Sequence, residues 1–147
     1  PRYLEDDEWR TIVSSVPIVS VDLVILTSEG VVLAKRTNNP AKGEWFVPGG
    51  RIHKGERLRE AVHRVADEEL GIEVSIEQSL GAYEHLYTTA ELDDVGGKHY
   101  VAHGYVVRAT PDEFELDEQH EAVDTFTQLP DDLHEYTRAY LRDAGVL

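Results

Sequence analysis

Residues 49–72, GGRIHKGERLREAVHRVADEELGI, constrain this chain more than any other stretch. The stretch reads as a glycine-rich loop feeding a helix. Gly49 and Gly50 carry no Cβ, so the backbone there can turn sharply or approach a ligand closely. From Leu58 the apolar residues Leu58, Ala61, Val62, Val65 and Ala66 recur at helical spacing and make one face of an amphipathic helix. Gly71 is placed as a left-handed cap. The last turn carries Glu68 and Glu69 side by side, and acid at that end opposes the helix dipole. A divalent cation would offset this unfavourable charge.

The rest of the chain supplies layers for this unit to pack on. Residues 3–15 read as a short amphipathic helix with Trp9, Ile12, Val13 and Val16 on one stripe, so residues 1–16 form an N-terminal helical extension. Pro17 ends it. Residues 18–27 are a β-branched strand, and Ser28-Glu29-Gly30 turns it into a second strand over 31–35. Asp22 interrupts the apolar run VSVDLVIL, either as a solvent-facing position or as a site residue; alternation alone favours solvent. Residues 37–47 are a turn-rich loop in which Trp45 and Phe46 read as core, with the alternative that one of them borders a ligand pocket. Residues 73–87 make one or two strands with Tyr83, His85 and Tyr87 on a shared face. A polar, acidic loop follows over 88–98, then strands over 99–108 and 121–128. Pro130, with Asp131 and Asp132 in the first turn, opens a last helix that runs to about Asp143 and closes at Gly145. This order is α/β or α+β, in a single domain over residues 1–147.

Charge narrows the function. The chain of 147 residues has a formal net charge of −15, which disfavours nucleic acid as a partner and fits the acidic surface of a halophile. Between Lys35 and Arg64, however, eight basic residues face only three acidic ones. That concentration is either a handful of surface cations or the place where a polyanionic ligand is accepted. There is no Cys, hence no disulfide framework and no thiol chemistry. No apolar run reaches a membrane span, and the start PRYLEDDEWR is unlike a signal peptide, so a cytoplasmic protein is expected.

Residues 50–72 fit the pattern GX5EX7REUXEEXGU, with U a bulky aliphatic residue, through Gly50, Glu56, Arg64, Glu68, Glu69, Gly71 and Ile72. The chain therefore resembles the Nudix hydrolases. Two positions depart: Ala66 is small for its slot, and Val65 replaces the Glu that follows the Arg and often binds metal or acts as base. That loss weighs against chemistry at phosphorus. It points to the GDP-mannose mannosyl hydrolase branch, which lacks the same Glu and breaks a glycosidic bond. The matching segments are SVD (20–22), KRTNNPAKGEWFVPGGR (35–51), HYV (99–101) and LDEQH (116–120).

This resemblance implies an α/β/α sandwich with a mixed sheet, a homodimer, and Mg²⁺ (Mn²⁺ as the alternative) held by Glu69, the Gly49 carbonyl and Gln119. Glu68 either joins them, supports them from behind, or only pairs with Arg64 one turn away. Arg64 and Glu56 form a structural ion pair. The implied reaction is hydrolysis of a nucleoside diphosphate sugar, GDP-mannose foremost, at the sugar C1 with inversion. His120 is the implied general base, since imidazole titrates near neutrality. Arg36 and Arg51 hold the leaving diphosphate, Asp22 and Tyr100 lie beside it, and His85 lines the same pocket. Two other readings stand against this one: an ordinary pyrophosphohydrolase using Glu68 and Glu69, and a catalytically silent nucleotide-binding module.

Overall fold

The computed structural model describes residues 4–37, 41–110 and 123–147. Among them the order is α1 (Asp6–Ser15), β1 (Ile18–Thr27), β2 (Gly30–Lys35), β3 (Trp45–Phe46), β4 (Gly49–Arg51), α2 (Leu58–Leu70), β5 (Glu73–Tyr87), β6 (Lys98–Thr110), β7 (Val123–Phe126) and α3 (Glu135–Asp143). The strands form one mixed sheet in the order β3-β2-β1-β6-β5, with β4 also on β1 and β7 also on β2. β1 and β6 run parallel; the other neighbours are antiparallel.

Alternation along β1 builds both faces. Val21, Leu23 and Ile25 pack with Val62, Val65 and Ala66 of α2. Val24 packs on the opposite face with Tyr140 and Leu141 of α3. Helices thus cover both faces of the sheet, the expected α/β/α sandwich. Gly71 caps α2 at φ +66°, donating to the Asp67 carbonyl at 2.8 Å. No described helix is long and apolar enough to cross a membrane.

Several boundaries differ from the sequence expectation. α1 begins at Asp6, and Val16 turns out of the helix into extended backbone (φ −142°) and is exposed, so it leaves the apolar stripe. α3 begins at Glu135 rather than at Pro130. The segment before it is held extended against β3, with the His134 amide donating to the Trp45 carbonyl at 3.4 Å, and His134 then caps the helix by accepting the Tyr136 amide at 3.1 Å. β5 is one strand whose register shifts at Ile76/Gln78 and at Ser79/Gly81. The acidic loop after β5 is tied to α1: Glu91 accepts from the Trp9 indole at 2.9 Å and pairs with Lys98 at 2.7 Å. The strand expected over 121–128 covers Val123–Phe126 among the described residues.

Candidate active site

The loop-helix unit is held by an ion pair. Glu56 accepts from Arg64 Nε at 2.7 Å, from Arg64 Nη2 at 2.9 Å and from the His53 amide at 3.0 Å. Arg64 Nη2 also donates to the Arg51 carbonyl at 2.8 Å, fixing β4 against α2. The Arg64 hydrogen bonds, with its charge, hold the Glu56 carboxyl down at about 2. Glu68 sits on this side too, paired with Arg64 Nη1 at 3.2 Å and half exposed.

Beside this unit opens a cleft of about 330 Å³ between β1, β4, β5, β6 and the C-terminal end of α2. Asp22, Arg36, Gly49, Glu69, His85 and Tyr100 all line it. Six residues from six separate elements or loops are thereby brought together. Arg51 is not among the lining residues. Its guanidinium lies 5.6 Å from the Trp9 ring centre, beside a second hollow of about 300 Å³ between α1 and the 51–56 loop. Gln119 and His120 lie outside the described residues.

Asp22 belongs to the site, not to solvent. Gly49 stands opposite it on β4 and Gly104 opposite it on β6. A Cβ on Gly49 would come 2.1 Å from Asp22 Oδ1, so this glycine serves close approach to a carboxylate within a strand, not a sharp turn. The Tyr140 hydroxyl donates to Asp22 Oδ2 at 2.7 Å. Burial drives the Asp22 carboxyl up to about 6 against the opposing pull of the Tyr140 hydrogen bond and the Arg36 charge.

His85 is 5% exposed, stacked on Tyr136 at 4.1 Å between ring centres, and burial lowers it to about 4, so it is neutral at pH 7. Its Nδ1 is 3.8 Å from Asp22 Oδ2, too far for a hydrogen bond. Its Nε2 is buried and has no hydrogen-bond partner among the described residues. Tyr100 is flanked by the Lys98 ammonium 5.3 Å from its ring centre. Phe46 and Tyr87 complete an aromatic wall, with the Arg36 guanidinium 5.8 Å from the Phe46 ring centre. The core expectation therefore divides. Trp45 packs edge-on against Phe126 at 4.8 Å, while Phe46 borders the cleft and stacks on His134 at 4.7 Å.

Glu69 and Gly49, the described members of the expected metal set, both line this cleft, as does the Asp22 carboxylate. The described residues contain no cluster of three or more His, Cys, Asp or Glu able to hold a metal ion. A small donor set of this kind fits a hard divalent cation that keeps waters and substrate phosphates beside one or two carboxylates. Sequence reading did not assign Tyr87 to the cleft, nor Tyr140 to the buried layer beneath Asp22. The one available signal for Tyr140 was Gly104 inside an otherwise apolar strand, which marks a close approach by something bulky.

Comparison with known proteins agrees with this geometry. The model of the NUDIX domain matches residues 16–145. The chain is 49% identical over 138 residues (94% of this chain, 88% of the relative) to the low-salt glycan biosynthesis protein Agl8 of Haloferax volcanii. It is 42% identical over 67 residues (46% of this chain, 40% of the relative) to an ADP-ribose pyrophosphatase of Methanocaldococcus jannaschii. Its fold matches the crystal structure of a MutT NUDIX hydrolase from Burkholderia pseudomallei with TM-score 0.69 and 30% identity, over 86% of this chain and 97% of that one.

Proposed function

Since the chain belongs to the Nudix family, we propose that it hydrolyses a nucleoside diphosphate sugar, GDP-mannose foremost, at the sugar C1. The observation that carries this reading is Val65. It is 2% exposed and packs in the core beneath Gly50, so the box position that holds an acid in ordinary members is a hydrocarbon. Glu69 and the Gly49 carbonyl, with Gln119, are the donors that would hold Mg²⁺ or Mn²⁺. When bound, the ion offsets charge on the diphosphate. Arg36 adds a fixed positive charge there, and Tyr100 faces the leaving oxygen. Asp22 and His85 orient the substrate at the cleft floor. Water attacks C1 as the C1–O bond breaks, the electron pair stays on the diphosphate oxygen, and His120 takes the proton from water. One-step attack inverts the anomeric centre.

A second reading is favoured by a specific feature, the retained Glu68–Glu69 pair: cleavage of the diphosphate itself. Product analysis decides between them. A panel of nucleotide sugars is incubated with Mg²⁺ in H₂¹⁸O. Nucleoside diphosphate plus inverted free sugar carrying the label on C1 is the expected outcome. Sugar 1-phosphate plus nucleoside monophosphate, with label on phosphorus, would replace it with the second reading. Absence of turnover across the panel would make the chain a binding module.

A further inference from the structure

We propose that Tyr140 is a positioning residue of the active site: its hydroxyl locks the orientation of the Asp22 carboxylate at the cleft floor. This rests on the reading of Asp22 as a substrate-facing group. The geometry is specific. One row across the sheet runs Gly49, Asp22, Gly104, Gly81, so both strand neighbours of Asp22 lack a side chain. The ring of Tyr140 fills the space this leaves. A Cβ on Gly104 would come 2.6 Å from Tyr140 Cε1, so the close approach requires glycine there.

The ring is immobilised from every side. It is 1% exposed, with Tyr83 at 4.3 Å and His85 at 5.5 Å between ring centres. One turn earlier on α3, the buried Thr137 donates its hydroxyl to the Trp45 carbonyl at 3.0 Å and sets the helix register over the sheet. The phenol therefore arrives at Asp22 Oδ2 with no freedom of its own. The carboxylate has such freedom: rotation about its terminal torsion is soft and nearly twofold. Oδ1 lies on the Gly49 side and the His85 ring is beyond bonding distance, so among the described residues Tyr140 is the hydrogen-bond donor that opposes this rotation. As a mere core filler, Tyr140 would serve equally well as Phe.

That substitution is the test. Tyr140→Phe keeps the ring and removes one oxygen. With GDP-mannose as substrate we expect kcat to fall about tenfold, in line with losing a hydrogen bond to a charged group, while the Kd for GDP stays within twofold. In an Asp22→Asn background the same change should cost less than twofold, because its effect passes through the carboxylate. A Tyr140→Phe enzyme within twofold of wild type, or a tenfold loss that persists beside Asp22→Asn, would overturn the proposal. If the wild-type products show cleavage of the diphosphate, the cycle is read on that turnover, and failure of the proposed reaction remains distinct from failure of this one. A crystal structure of Tyr140→Phe gives a readout independent of activity: a rotated or split Asp22 carboxylate is expected, and an unchanged one refutes the lock.

Discussion

Two carboxylates of this fold are treated in opposite ways. Glu56 receives three donors and a full guanidinium charge, and its carboxyl is held at about 2. Asp22 receives one phenol, lies beside hydrocarbon and ring faces, and is pushed up to about 6. The first arrangement stabilises the fold by satisfying a charge. The second costs stability by giving a charge a single hydrogen-bond donor among the described residues. A group left under-solvated within a cleft is the kind of group a substrate can satisfy, and perturbation by burial beside other polar groups is a mark of functional sites. The difference separates the part that holds the loop-helix unit together from the part that meets a ligand.

The largest effect should come from Asp22→Asn. We expect kcat/KM to fall about 10²-fold, the loss associated with a misplaced substrate. The melting temperature above pH 6 should stay level or rise, because a buried charge has been removed. A variant both inactive and destabilised would make Asp22 a second Glu56. Glu56→Gln should do the reverse. Arg64 keeps part of its partnership, yet the fold should lose about 1.5–3 kcal/mol, read as a lower urea midpoint with unchanged slope. Turnover per folded molecule should stay within a few-fold.

The same contrast should appear as two separate pH windows. Asp22 has its folded value raised from 3.8 to about 6, so its contribution favours the fold at low pH and is lost as pH rises through 6. The gap in melting temperature between wild type and Asp22→Asn should therefore close as pH falls from about 6 to about 4. Glu56 is lowered from 4.5 to about 2, so its stabilisation is present above 4.5 and lost on further acidification. The gap between wild type and Glu56→Gln should close only below about 4.5. Coincident windows would mean that the two carboxyls do not differ as described. Smallest of all should be Glu68→Gln. Its helical pair with Arg64 is half exposed, and such pairs contribute about 0.3–0.5 kcal/mol. A large loss of activity there, with stability unchanged, would move Glu68 from the ion pair into the catalytic set.

Glu56 was easier to read from sequence than Asp22, for a physical reason. Its partner Arg64 lies within one loop-helix unit, and local spacing specifies the contact. β1 was legible in the same way, from a run of β-branched residues between Pro17 and a turn. By alternation alone Asp22 looked like a solvent position, and only the family resemblance put it at the site, because alternation says which face a residue takes but not what covers that face. The start of α3 was misread because the chain beyond Pro130 follows β3 before it coils, a tertiary contact that overrides a good local cap. Arg51 lies beside Trp9 of α1, a residue far away in sequence. Tyr140 could have been inferred only by asking what Gly104 makes room for.

The contact beneath the cleft floor joins residues far apart along the chain: Tyr140 meets Asp22 across a sequence separation of 118. Pairings of that range are slow to find, since a long stretch of chain must be closed before any contact compensates for the lost entropy. The loop-helix unit, by contrast, is held by Glu56 and Arg64 only eight residues apart. During refolding, the unit that carries Glu69 should gain structure while the pocket around Asp22 is still open. Recovery of activity would then trail recovery of helix, and the last event before a competent enzyme would be the docking of α3 onto a glycine in the sixth strand.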